Sequence, residues 1–122
     1  MGRPVTPYAR GYGAELLARK RLVEAGWVVT RRYASKGTYD LMALRDDRMP
    51  ALVQVKRTRT AAGSPAALLS PGERLDLVAE ASKAGAEAVV ARYVAGAAGQ
   101  AGGWAWVALE SAALGDARPW TP

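Results

Sequence analysis

Apolar positions along this chain follow two periods, and each change of period marks a new element. In "PYARGYGAELLARKRLVEAG" (7–26) they recur at helical spacing, and Gly26 stands where a left-handed glycine commonly closes a helix. "WVVTRRY" (27–33) switches to the β-branched and aromatic residues of a strand, and "ASKG" (34–37) reads as a turn. "YDLMAL" (39–44) and "ALVQVKR" (51–57) are two further strands, joined through "RDDRMP" as a hairpin. "SPGERLDLVAEASKAG" (70–85) opens a second helix: Ser70 is the N-cap, Pro71 takes the first helical position, and Glu73 completes a capping box. Gly85 closes it. "AEAVVARYV" (86–94) and "WAWVAL" (104–109) read as strands around "AGAAGQAGG", a small-residue connector without the Gly-Lys-Ser/Thr of a phosphate-binding loop.

The order α-β-β-β-α-β-β predicts an α/β fold, a mixed central sheet of about five strands flanked by helices. One domain over residues 1–122 is expected, with an N-terminal arm at 1–7 and a C-terminal tail at 111–122. Trp120 in that tail has two destinations open to it, the core or another subunit.

Composition narrows the chemistry. Half of the 122 residues are hydrophobic, enough for a real core. There is no cysteine and no histidine, which excludes disulfides, Cys/His zinc sites, thiol nucleophiles and any Ser-His-Asp arrangement. Catalysis would have to rest on carboxylates, lysines, hydroxyls or an oxygen-preferring metal. The net charge is +6, and 13 of the 17 basic residues are arginine, whose planar fork suits phosphate oxygens. A basic domain of this kind points to nucleic acid or to a merely solubilising surface. No long uncharged apolar stretch and no signal-peptide core occur, so the expectation is a cytoplasmic protein without a membrane partner.

Three polar residues interrupt the apolar strands: Asp40, Gln54 and Lys56. If Asp46–Arg48 is a three-residue loop, Asp40 lies directly opposite Gln54 with Cβ atoms about 5 Å apart. Strand alternation adds Lys56 to the same face. On helix one, Glu15 points within about 20° of Leu22, toward the sheet. Its partner is either Arg19, one helical turn on, or a metal shared with Asp40. Two carboxylates, an amide oxygen and a lysine suit Mg²⁺-assisted phosphodiester hydrolysis, with Mn²⁺ able to substitute. Lys56 would orient or help deprotonate the attacking water, or stabilise transition-state charge. Each residue also has an ordinary reading: a strand-end acid for Asp40, a solvated lysine, a half-buried amide for Gln54.

Glu15, then Asp40, then "QVK" at 54–56, on helix, strand and strand, resembles the PD-(D/E)xK nuclease superfamily. More closely, "RGYGAELLARKRLVEAGWVVTRRYASKGTYDLMAL…LVQVK" resembles the archaeal-type Holliday junction resolvases, which also occur in phages; the likeness runs over about residues 8–93. The resemblance implies a restriction-endonuclease-like fold. It implies Glu15, Asp40 and residue 54 as metal ligands, Lys56 as the catalytic lysine, and Arg10 and Ser35 near the scissile phosphate. It also implies a homodimer that cuts two opposed strands of a four-way DNA junction. The chain departs from the pattern twice: Gln54 stands where glutamate is commoner, and Tyr39 where proline usually precedes the aspartate. Glutamine keeps an oxygen ligand but removes a charge, which weakens metal binding.

Arg31, Arg32, Lys36, Arg57 and Arg59 surround the proposed site in sequence and are candidates for positioning DNA through its phosphates. Two alternatives stand beside the resolvase reading. One is a repair or restriction-like nuclease of the same superfamily acting on flaps, ends or duplex; the other is a basic DNA-binding module whose catalytic site has decayed.

Overall fold

The computed structural model describes residues 7–31, 38–96 and 102–122. Their order is α1 (Pro7–Glu24), β1 (Val28–Arg31), β2 (Leu41–Arg45), β3 (Arg48–Thr58), a short 3-10 turn (Pro65–Leu68), α2 (Pro71–Ala84), β4 (Glu87–Val94), β5 (Gly103–Leu109) and β6 (Ala117–Pro119). The strands form one six-stranded sheet in sequence order, so the fold is α/β with a mixed sheet. All pairs are antiparallel except β3–β4. That parallel pair needs a crossover, and the crossover carries α2.

Helix α1 buries a row four residues apart, Ala14, Ala18 and Leu22, against one face of β1–β3. It closes on Gly26 at φ +100°, with the Trp27 N–H reaching the Leu22 carbonyl and the Gly26 N–H that of Val23. The same face holds Leu41, Val53, Val55, Val89 and Ala91, and beyond the helix a group of indoles, Trp27, Trp106 and Trp120. The other face is covered by α2 and the 3-10 turn through Leu77, Ala81, Ala66 and Leu69, packed on Leu52, Val90 and Leu109. Strand β4 is therefore buried on both sides over residues 88–92, as the apolar run Ala88–Ala91 requires, and the buried Arg92 that follows donates to the Gly63 carbonyl (2.6 Å).

The punctuation of α2 is as its residues dictate. Ser70 Oγ accepts from the Glu73 N–H (3.1 Å), Glu73 Oε1 accepts from the Ser70 N–H (2.9 Å), Pro71 follows the cap, and Gly85 ends the helix at φ +63°.

Three expectations change. The loop of the β2–β3 hairpin is not Asp46–Arg48: Arg45 pairs with Arg48 around a two-residue turn, Asp46–Asp47. A register shift between Ala43 and Arg45 then adds one residue on β3, in the stretch holding Pro50. Proline lacks the N–H a regular ladder needs, so an irregularity is where it fits. Beyond that shift the pairs are Ala43–Ala51, Met42–Leu52 and Leu41–Val53; the ladder ends there, one residue short of the expected Asp40–Gln54 pair, and the Asp40 N–H turns to the Val53 carbonyl. Second, the sheet has six strands where about five were expected, because the tail adds one; of its two open destinations Trp120 takes the core, between Trp27 and Trp106, 5.5 and 5.6 Å between ring centres. Third, α1 already includes Pro7, the last residue of the expected arm.

Candidate functional site

The strand edge makes the site. Asp40 lies one residue before β2, and its N–H donates to the Val53 carbonyl (2.8 Å). The β2 ladder stops at Leu41, so the Asp40 side chain supplies the next acceptor: Oδ2 takes the Val55 N–H at 2.7 Å. Burial raises the Asp40 carboxyl from 3.8 to about 6; the Val55 N–H opposes the rise, the nearby Glu15 carboxylate adds to it, and Lys56 works against it. A hydrogen-bonding contact with Glu15 adds a smaller upward push. Asp40 therefore responds to both Glu15 and Lys56.

Those two come from opposite layers. Glu15 is on α1, in line with the buried Ala14–Ala18–Leu22 row. Among the side chains its ion-pair partner is not Arg19: Oε2 accepts from Arg31 Nε on β1 at 3.1 Å, with side-chain exposures of only 20% and 17%. Arg19 is exposed. Lys56 and Gln54 alternate with Val53 and Val55 along β3, so they share the α2 face with Leu52. Lys56 Nζ meets Glu73 Oε2 on α2 at 3.2 Å. Gln54 is half-buried, in register with Val90 of β4. Asp40 sits where the two layers meet at the end of β2.

The other candidates are less concentrated. Arg31 lies at Glu15. Arg57 is on the α1 face, opposite Tyr93, with its guanidinium 5.9 Å from the Tyr93 ring centre. Arg59 is exposed just past β3. Arg10 lies on α1. Arg32, Ser35 and Lys36 lie outside the described residues, as does most of the connector after β4.

Two partners escaped the sequence reading. Arg31 is sixteen residues from Glu15, beyond any helical spacing rule, and Glu73 was legible only as a cap. The capping box fixes where Glu73 stands on α2; that α2 sets it against Lys56 depends on the crossover.

Among the described residues no group of three or more Asp, Glu, His or Cys is arranged to hold a metal. The donors present are two interacting carboxylates, Glu15 and Asp40, with the Gln54 amide on the neighbouring strand β3. Such an all-oxygen set fits Mg²⁺, which needs few protein ligands because it retains waters. Among the described residues no helix is long and apolar enough to cross a membrane. Compared with known proteins, the sequence matches no family model and no curated protein.

Proposed function

We propose that this chain is a Mg²⁺-dependent DNA endonuclease with a restriction-endonuclease-like fold, acting as a homodimer on four-way junctions. One observation carries the reading: a carboxyl at a strand end, lifted to about 6 by burial and an adjacent carboxylate, lies within electrostatic reach of a lysine. A carboxyl perturbed by burial and by charged neighbours from separate elements is commoner at functional sites than elsewhere. The basic surface and its arginines fit a phosphate backbone.

Glu15, Asp40 and Gln54 would hold Mg²⁺, which supplies Lewis-acid stabilisation of phosphate charge and a more acidic water. The chain's own contributions are separable. Water adds to phosphorus, one P–O bond breaks, and the departing oxygen takes up a proton. Asp40, ionised above about pH 6, keeps the centre negative enough to retain a cation. Lys56 holds positive charge beside the phosphate oxygens as the attacking water loses its proton. Arg57 and Arg59 contact flanking phosphates.

A second reading, a DNA-binding module with a silent site, has two observations in its favour: Glu15 is paired with Arg31, and position 54 carries no charge. The decisive experiment mixes the protein with a synthetic four-way junction and Mg²⁺, beside a linear duplex and an Asp40→Asn control. Paired nicks on the junction, absent from duplex and control, are expected. Cleavage of duplex or flaps instead points to a repair-type nuclease. Binding without cleavage in Mg²⁺ and in Mn²⁺ establishes the silent module.

A further inference from the structure

We infer that Glu73 is a positioning residue for Lys56, holding its ammonium at the site through the capping box of α2; this rests on the nuclease reading above. Lysine is a flexible four-carbon stem with three rotatable donors, so a lysine at a strand end does not fix its own charge in space. An exposed carboxylate partner ordinarily does little better, because both side chains wander. Glu73 differs in being anchored. Its Oε1 accepts from the Ser70 N–H at 2.9 Å while its own N–H donates to Ser70 Oγ at 3.1 Å, which ties the carboxylate to the first turn of α2. The remaining oxygen, Oε2, meets Lys56 Nζ at 3.2 Å. The helix cap thus leaves one carboxylate oxygen aimed at the lysine.

The electrostatics agree with the geometry. The Ser70 N–H holds the Glu73 carboxyl below its ordinary range, with Lys56 contributing, so Glu73 stays charged in mildly acidic solution. Lys56 in turn is close enough to Asp40 to oppose the rise in its pKa. Hydrogen bonds therefore run from the α2 backbone through Glu73 to Lys56, whose charge in turn acts on Asp40.

Glu73→Gln separates this role from helix stability. Glutamine at the same position still accepts from the Ser70 N–H and keeps the capping box, but it presents no negative charge to Lys56. Gly85→Ala is the complementary control: it strains the left-handed residue at the far end of α2 and leaves Glu73 and Lys56 in place. Two readouts are taken on the full-length protein. Acylation of Lys56 by N-hydroxysuccinimidyl acetate, followed by mass spectrometry, is expected to be several-fold faster in Glu73→Gln and unchanged in Gly85→Ala. Junction cleavage by Glu73→Gln is expected to fall about 10- to 100-fold in kcat, the usual cost of removing a partner that orients a reacting group, with KM nearly constant. Gly85→Ala should lower the melting temperature and leave kcat alone. Equal Lys56 acylation in wild type and Glu73→Gln overturns the pairing, and an unchanged kcat overturns the positioning role. If the wild type cleaves no DNA, the nuclease reading fails and the catalytic role with it, while acylation still decides whether Glu73 holds Lys56.

Discussion

Asp40 carries an electrostatic cost that can be measured without any substrate. Its carboxyl titrates at 3.8 in the unfolded chain and at about 6 in the folded one, chiefly because burial disfavours the charge. The native state therefore binds this proton more tightly than the unfolded state does. The stabilisation this brings is fully present below pH 3.8 and is lost as pH rises through about 6. By linkage the loss approaches about 3 kcal/mol at neutral pH in metal-free protein. Asp40→Asn removes the charge and retains an oxygen for the Val55 N–H. In EDTA it should be more stable than wild type by about 2–3 kcal/mol at pH 7.5, the gap closing toward pH 4. Urea titrations of both proteins across that range check this, and a gap that does not change with pH would mean Asp40 is not perturbed. Alternation breaks at Asp40, with Tyr39 packed on the α2 face and Leu41 on the α1 face. The register as far as the neighbouring Leu41 was legible, because cross-strand pairing is a short-range rule that survived an incorrect loop. The identity of the surroundings of Asp40 was not. Arg31 at Glu15 and Glu73 at Lys56 are meetings between elements, and no spacing along the chain encodes them.

At the level of elements, local chemistry was legible and irregularity was not. Helix α2 begins and ends where Ser70, Pro71, Glu73 and Gly85 require, since every hydrogen bond of those caps lies within a few residues. Strand β3 defied the same treatment. It starts at Arg48 rather than Ala51 and runs past Pro50, because the sheet accommodates a residue without an N–H at a register shift. The 3-10 turn at Pro65–Leu68, tied by the Ala66 N–H to Ser64 Oγ, has no periodicity to announce it. The glycine that ends α1 can be tested directly. Gly26 sits at φ +100°, and a Cβ there would make only ordinary contact with the Arg45 guanidinium, 3.7 Å away. Gly26→Ala should thus destabilise through the backbone alone, by about 1–3 kcal/mol, with no steric clash to relax. Denaturant unfolding of the variant reads this, and a cost below about half a kcal/mol would show that α1 can end in another conformation.

Across the whole molecule, each face of the sheet is covered by a different means. Helix α2 and the 3-10 turn cover one face, whereas α1 packs chiefly on β1–β3 on the other. Over β4 and β5 the cover is aromatic: Tyr93, Trp104 and Trp106 stand with ring centres 5.0 and 5.1 Å apart, and Trp120 returns from β6 to meet Trp106 and Trp27. Arg48 stacks over both Trp27 and Trp120, about 5 Å from each ring, and the Trp120 indole N–H donates to Glu87 Oε2 at 2.8 Å. A three-residue strand followed by one tryptophan gives no sequence signal of such a role, because the partners of Trp120 lie at residues 27, 48, 87 and 106. The tail is nonetheless part of the core, and its two prominent side chains should differ sharply in what they contribute. Trp120→Ala empties a buried site among three other side chains and leaves the Glu87 carboxylate without its indole donor, so a loss of about 3–5 kcal/mol is expected. Arg118, two residues earlier, pairs with Glu87 and Glu110 at the surface, its side chain 47% exposed. Arg118→Ala should cost no more than about 1 kcal/mol, and less in high salt. Paired urea titrations at low and high salt decide between the two. A Trp120→Ala loss no larger than that of Arg118→Ala would mean β6 is held by its ion pairs instead of its indole.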